Sequence, residues 1–290
     1  MAFARRAEEV GFDTLLVSDH FGSRMSIGPA LVLAAHATQR LRVGSFVYDN
    51  DFRHPGLLAQ EAATIDLLTD GRFELGIGAG WLRREYDAAG LDFAPGRVRV
   101  ERLAEAIQVL KALLKGSPVS YQGKHYRLKE LTAGFKTVQQ PHPPFTIGGG
   151  GPALLALAAR EADIVSIMPR SKADGAGLEN SDAGPSAFDR KLAVVRQAAG
   201  ERFEKLELNT LVQEVIVTED RSGTAERLAG DWDMSPAELL ESPLLLIGSP
   251  GQLAEQLLAR RERFGISYVS IFERHMPGFV PVMEILRREA

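Results

Sequence analysis

The chain has 290 residues, 45% of them apolar, enough for one α/β barrel or two smaller domains with an ordinary core. Its 34 basic and 38 acidic residues are interspersed and leave a net charge of -4, so nothing electrostatic points to nucleic acid or a membrane surface as partner. The absence of cysteine excludes disulfides, thiolate metal sites and a cysteine nucleophile, and no stretch approaches the roughly 18 consecutive apolar residues of a membrane span.

The opening MAFARRAEEVGF sets Phe3, Ala7 and Val10 on one helical face and lacks the apolar core of a signal peptide, which predicts a helix and a cytoplasmic location. Gly11 then caps the helix and the chain reverses into a strand at Thr14 to Ser18, ending in Ser18-Asp19-His20. The same helix, glycine, strand unit recurs in LLTDGRFELGIGAG and in RERFGISYVSIFE. Further buried strands are predicted at Leu41 to Tyr48, Arg72 to Ile77, Phe145 to Ile147, Asp163 to Met168, Leu206 to Val217 and Ser267 to Phe272. Between them, a helix from Pro55 to Leu68 carries Leu58, Ala62, Ile65 and Leu68 on one face, and another from Val98 to Leu114 carries Leu103, Ile107, Leu110 and Leu114. A third starts at Ser249 as N-cap, with Pro250 in its first turn and Gln252 closing a capping box, and buries Leu253, Leu257 and Phe264.

This alternation is that of an α/β protein with a parallel sheet, whose function collects at the carboxyl ends of the strands. Two segments interrupt it. Residues 116–144 contain VSYQGKHYRL, an insertion read as a β-hairpin with a proline-rich return, and residues 171–186 form a small, polar, glycine-rich stretch read as a mobile loop or an active-site cover. Neither has the character of a linker, so residues 1–290 are expected to form a single domain. Seven strands fall one short of a (β/α)8 TIM barrel, and the chain opens on a helix. The expectation is therefore a barrel lacking its first strand, which either lies upstream of Met1 or is replaced by another segment.

GFDTLLVSDH, LRVGSFVYDNDFRHP, DGRFELGIGAGW followed by Glu85-Tyr86, the VSYQGKHY hairpin and PPFTIGGGGP leading into ALLALAAREADIV come in an order and spacing that resembles the bacterial-luciferase-like family, in particular its coenzyme F420-dependent oxidoreductase branch. The resemblance covers nearly the whole chain and implies a strand before the first helix, a flavin-like cofactor at the strand ends and an assembly that is often a homodimer.

Gly148 to Gly151 lie between a strand and a helix, with Pro152 following and Leu154, Leu157 and Ala158 on the helix's apolar face. Free N–H groups at such a helix start suit an anion, and glycines let a phosphate approach; the alternative is a tight turn. By resemblance this loop holds the cofactor's phosphate. GIGAGW is G-x-G-x-G, which is not a dinucleotide fingerprint, and Gly78 and Gly80 are read as clearing space for a flat ring walled by Trp81, or as packing strand on helix. In Ser18-Asp19-His20 the histidine can exchange a proton near neutral pH, with Asp19 to orient it or bind the cofactor; the alternative is a strand terminus. By resemblance His20 is the proton donor beside the ring, and Ser45, Phe46 and Val47 lie beneath it, with a non-proline cis peptide at Ser45-Phe46 or Phe46-Val47. Asp49 to Asp51 and Arg53-His54-Pro55 are read either as touching substrate or as a solvated loop in which Pro55 starts a helix.

No histidine spacing matches a metal site. The sugar-phosphate dehydrogenase branch has an acidic residue where this sequence has Trp81, so that branch's substrate is not carried over, and Glu85 is read as organising its loop. The resemblance implies hydride transfer between coenzyme F420 and a small organic substrate. An FMN-dependent monooxygenase and a non-catalytic flavin- or deazaflavin-binding protein are the alternatives. A phosphate-substrate isomerase or aldolase lacks a well-placed lysine or carboxylate pair.

Overall fold

The computed structural model describes residues 1–22 and 25–289, and the chain divides into two compact units. The first comprises Met1–Gly148 with Glu161–Asp163 and Ala173–Ala176. It opens with α1 (Ala2–Val10), which buries Ala4, Ala7 and Val10 and leaves Phe3 half-buried. Gly11 (φ 89°) caps α1, its N–H donating to Ala7 O, and turns the chain into β1 (Thr14–Val17). Next come α2 (Ile27–His36), β2 (Arg42–Ser45), β3 (Tyr48–Asp49), α3 (Pro55–Leu68) and β4 (Phe73–Gly78). These are followed by α4 (Arg83–Ala89), α5 (Gly96–Leu113), the hairpin strands β5 (Val119–Gln122) and β6 (Arg127–Leu131), and β7 (Phe145–Gly149).

Parallel pairing runs from β1 to β2, β2 to β4 and β4 to β7. The expected strand from Leu41 to Tyr48 is in fact two strands. A cis peptide at Phe46-Val47 interrupts it, and β3 pairs not with β1 but with the far end of β4, Tyr48 opposite Ile77 and Asp49 opposite Gly78. On α3, Leu58, Ala62 and Ile65 are buried as expected, whereas Leu68 is 46% exposed. The i,i+3 step from Ile65 rotates Leu68 about 60° off the buried stripe at the last turn. The hairpin forms as expected, and its turn is held by the Glu105 carboxylate of α5, which accepts the N–H groups of Lys124, His125 and Tyr126.

The second unit contains Gly149–Arg160, Ile164–Lys172 and the chain from Gly177 onward. Its elements are α6 (Pro152–Glu161), β8 (Ile164–Ile167), α7 (Pro185–Ala199), β9 (Glu207–Val212), β10 (Glu214–Val217), α8 (Arg221–Trp232), α9 (Pro236–Glu241), β11 (Leu245–Gly248), α10 (Pro250–Phe264), β12 (Ile266–Ile271) and α11 (Met276–Glu289). β9 pairs in parallel with β8 on one side and β12 on the other. The run from Leu206 to Val217, expected as one strand, breaks at Gln213: β10 leaves that sheet and pairs with β11, a strand missed in the sequence. β10 and β11 bury Leu245 and Ile247 with Ala225 of α8 and Leu239 of α9. The capping box of α10 is as expected, with Ser249 Oγ accepting from Gln252 N–H and Gln252 Oε1 accepting from Ser249 N–H.

The segment 171–186 is not the structureless loop expected. Ser171 bridges Leu178, residues Asn180–Ala183 form a 3-10 turn with Asp182 and Ala183 buried, and Pro185 already belongs to α7. Glu179 pairs with Arg170, and Asp182 with both Arg170 and Lys191, partners that local composition does not report. Among the described residues no helix is long and apolar enough to cross a membrane.

Candidate functional site

The first unit gathers titratable side chains at the ends of β1, β3 and β4. His20, just past β1, places Nδ1 at 3.0 and 2.9 Å from the two carboxylate oxygens of Glu85 on α4. A carboxylate only accepts, so Nδ1 carries the proton and donates it, leaving Nε2 for a ligand. The indole of Trp81, past the end of β4, stands edge-on to this imidazole, with ring centroids 6.1 Å apart and planes at 88°. The His20 side chain is 31% exposed and that of Glu85 11%, so the pair is sheltered but reachable.

Asp19 does not orient His20, which was one of its two expected parts. Its Oδ1 accepts from Arg53 Nη2 at 3.1 Å, and its Oδ2 accepts from the Asp49 N–H at 3.0 Å and from Arg53 Nη1. The orienting carboxylate is Glu85, which had been read as a loop organiser. Asp49 to Asp51 do not form a solvated loop either. Asp49 and Asn50 are buried, the Tyr86 hydroxyl donates to both Asp49 oxygens at 2.9 and 2.8 Å, and Asp51 Oδ1 lies 3.3 Å from Arg102 Nε. Burial pushes the Asp49 carboxyl up to about 7, against the N–H of Asp51 and the Tyr86 hydroxyl, which favour the anion. Burial also raises Asp51, opposed chiefly by Arg102. Pro55 starts α3 after His54, whose Nδ1 accepts from the Gly56 N–H, so His54 serves as a cap.

The glycines of GIGAGW make room for the chain itself. A Cβ at Gly76 would strike the Ser45 carbonyl, one at Gly78 would meet Val47 Cγ2 at 2.8 Å, and one at Gly80 (φ 74°) would strike the Tyr86 hydroxyl. Neighbouring chain thus takes up the side-chain space of all three, Ser45 and Val47 at Gly76 and Gly78 and, from a helix, Tyr86 at Gly80. Ser45 Oγ is spent on Gly76, donating to its carbonyl and accepting from its N–H, both at 2.8 Å. Phe46 and Val47 remain half-buried and offer apolar surface.

In the second unit, Gly149 to Gly151 run from β7 into α6, with Pro152 at the helix start; Gly148, which precedes them in β7, belongs to the first unit. Two of these glycines are required by packing. A Cβ at Gly150 would collide with the backbone of Met168 to Arg170, and one at Gly149 with Leu154, whereas Gly151 has no atom within 4 Å of that position. Leu155 rather than Leu154 is the fully buried leucine of this turn. An open cleft of about 170 Å³ adjoins the loop, lined by Gly150, Pro152, Leu155, Arg170 and Lys191. Asp182 bridges the two cations, 2.7 Å from Lys191 Nζ and 3.5 Å from Arg170 Nε. Arg170, Asp182 and Lys191 escaped the sequence reading because no motif marks them and they meet only through the fold.

Residues 1–268 match the model of the luciferase-like monooxygenase family. The F420-dependent glucose-6-phosphate dehydrogenase of Microbacterium testaceum is 36% identical over 169 residues, 56% of this chain and 49% of that protein. The 5,10-methylenetetrahydromethanopterin reductase of Archaeoglobus fulgidus is 31% identical over 183 residues, 63% of this chain and 53% of that protein. The chain spans about half the length of these curated relatives. Among solved structures, the coenzyme F420-dependent tetrahydromethanopterin reductase of Methanopyrus kandleri superimposes with a TM-score of 0.76 at 18% identity, covering 99% of this chain and 95% of that one. The monooxygenase RslO1 of Streptomyces bottropensis superimposes with a TM-score of 0.76 at 22% identity, covering 99% and 93%. At these identities the structural likeness speaks to fold, and the fold class is the α/β, TIM-barrel class of these proteins. With the family match running through 268 of the residues, the chain belongs to the luciferase-like monooxygenase family.

Proposed function

We propose that the protein is a coenzyme F420-dependent oxidoreductase that transfers a hydride between the deazaflavin and a small organic alcohol or carbonyl substrate. The observation that carries this reading is the His20–Glu85 pair beside the edge of Trp81. The names of the curated relatives, which depend on F420 or reduce a methanopterin derivative, support the cofactor class.

The residues present fit such a group. Within the first unit, Phe46, Val47 and Trp81 supply half-buried apolar surface suited to a flat ring. When bound, the deazaflavin supplies the hydride donor or acceptor. His20 Nε2 gives a proton to the substrate oxygen or takes one from it. Glu85 holds the imidazole in the tautomer that leaves Nε2 available, and it stabilises the imidazolium that forms. Trp81 and Phe46 keep water from the reacting edge. Asp19 is assigned a positional part, since its oxygens are committed to Arg53 and Asp49.

Titration with F420 and with FMN tests the cofactor assignment. Of the two tryptophans, Trp232 lies in α8, so Trp232→Phe leaves Trp81 as the only indole reporter. Saturable quenching by F420 and none by FMN is expected. The reverse result replaces the reading with an FMN monooxygenase, and quenching by neither removes it.

A further inference from the structure

We propose that Asp49 is a positioning residue that holds His20, Trp81 and Glu85 together from a single point. These three side chains come from separate stretches of the chain, and each is the immediate chain neighbour of a residue that Asp49 meets. Asp19, one before His20, accepts the Asp49 N–H at 3.0 Å, with Arg53 closing the other side of that carboxylate. Tyr86, one after Glu85, donates its hydroxyl to both oxygens of Asp49 at 2.9 and 2.8 Å. Gly80, one before Trp81, passes so close over the same carboxylate that a Cβ would lie 2.5 Å from Asp49 Oδ2.

The placement of Asp49 has a local cause. After the break between β2 and β3 at Phe46 and Val47, the two residues of β3 rejoin the sheet against the end of β4, Asp49 opposite Gly78, and this brings a carboxylate into the corner among the three strand exits. The charged and titratable groups around it are Asp19 at the end of β1, Asp51 after β3, Tyr86 on α4 and Arg99 of α5; Arg53 pairs with Asp19, and Arg102 with Asp51. Anchoring α4 through Tyr86 sets where Glu85 reaches, and anchoring Asp19 sets where His20 starts. A displacement at either end separates an imidazole and a carboxylate that now lie about a hydrogen bond apart. Asp49 touches none of the reacting groups itself, and its part rests on the reading of His20 as the proton-exchanging residue.

The test reads the His20 ring directly, in the protein without cofactor, by long-range proton–nitrogen NMR at alkaline pH, where the protonated ring nitrogen of the neutral imidazole identifies itself. Glu85→Ala, which removes the acceptor, defines the signature of a released ring. Tyr86→Phe and Asp49→Leu are expected to convert a single Nδ1–H tautomer into a mixture and to lower kcat about 10- to 100-fold with KM little changed. Asp49→Asn, which can still accept from the Tyr86 hydroxyl, is expected to restore the native signature. If Tyr86→Phe folds and keeps the pure Nδ1–H form, Asp49 is an ordinary buried polar residue and the proposal is overturned. Because phenylalanine fills the same volume, that variant decides the matter even where Asp49→Leu fails to fold. If Glu85→Ala also leaves the tautomer unchanged, the His20–Glu85 pairing beneath the proposal is what has failed.

Discussion

Each unit buries a polar network, and the two are built on opposite principles. In the second unit, Ser166 Oγ donates to Asn209 Oδ1 at 2.7 Å, and Asn209 Nδ2 donates to Ser270 Oγ at 2.9 Å and to the Tyr268 carbonyl at 3.1 Å. Every polar atom of that amide has a partner, and no group in the set titrates near neutral pH, so β8, β9 and β12 are tied at little electrostatic cost. In the first unit, Asp19, Asp49 and Asp51 crowd one corner, and burial holds Asp49 near 7. A network of neutral groups fixes a sheet and does nothing else. One that stores carboxylates against their solvation preference is expensive to keep, and such arrangements gather where protons or ligands are handled.

The largest expected effect separates chemistry from stability. His20→Asn should lower kcat by about 10²- to 10⁴-fold, the usual worth of a positioned acid or base, while shifting unfolding free energy by no more than about 0.5 kcal/mol. Steady-state kinetics beside urea unfolding checks both halves, and a variant that turns over like the parent erases the functional side of the contrast.

Asp49 should reveal its cost through pH. Its folded pKa, about 7, lies above the ordinary aspartate value of 3.8, so both states hold the proton at acid pH and the stability from this group is complete there. As pH rises the unfolded chain releases its proton first, and the contribution drains away until the folded carboxyl ionises near 7. Between pH 5 and pH 8 the parent should therefore lose about 3 kcal/mol relative to Asp49→Asn, measured as the difference of their urea curves. Parallel curves at the two pH values dissolve the distinction between the networks.

A smaller and pH-independent loss is expected from Asn209→Ala. Removing the amide leaves the hydroxyls of Ser166 and Ser270 without their partner and should cost about 2 to 3 kcal/mol at both pH 5 and pH 8. A loss confined to one pH would mean that this network also couples to a titrating group.

Local chemistry was legible where the deciding partners lie within a few residues. Gly11, Gly71 and Gly265 all take the left-handed conformation that the recurring helix, glycine, strand unit demands, and the Ser249 capping box closes within three residues. β11 was not legible, because a four-residue apolar run just ahead of a well-marked helix carries no period of its own. Nor was the break at Gln213: a continuous β-rich run looks the same whether its halves pair with one sheet or with two.

At the candidate site the limit is the same one at longer range. Glu85 is 65 residues from His20 and Tyr86 is 37 from Asp49, so their partnerships follow from how strand ends converge and not from any spacing. The amino-acid order by itself determined the alternation of helices and strands and the glycine punctuation, since these depend on propensity, periodicity and caps; it marked His20 and Trp81 as candidates only by their places just past strand ends and by resemblance. Only the tertiary structure decided that Glu85 and not Asp19 holds the imidazole, and that three glycines serve neighbouring backbone and side chains. Hydrogen-bond partners are chosen by distance in space, and a carboxylate takes the donor that burial brings within 3 Å.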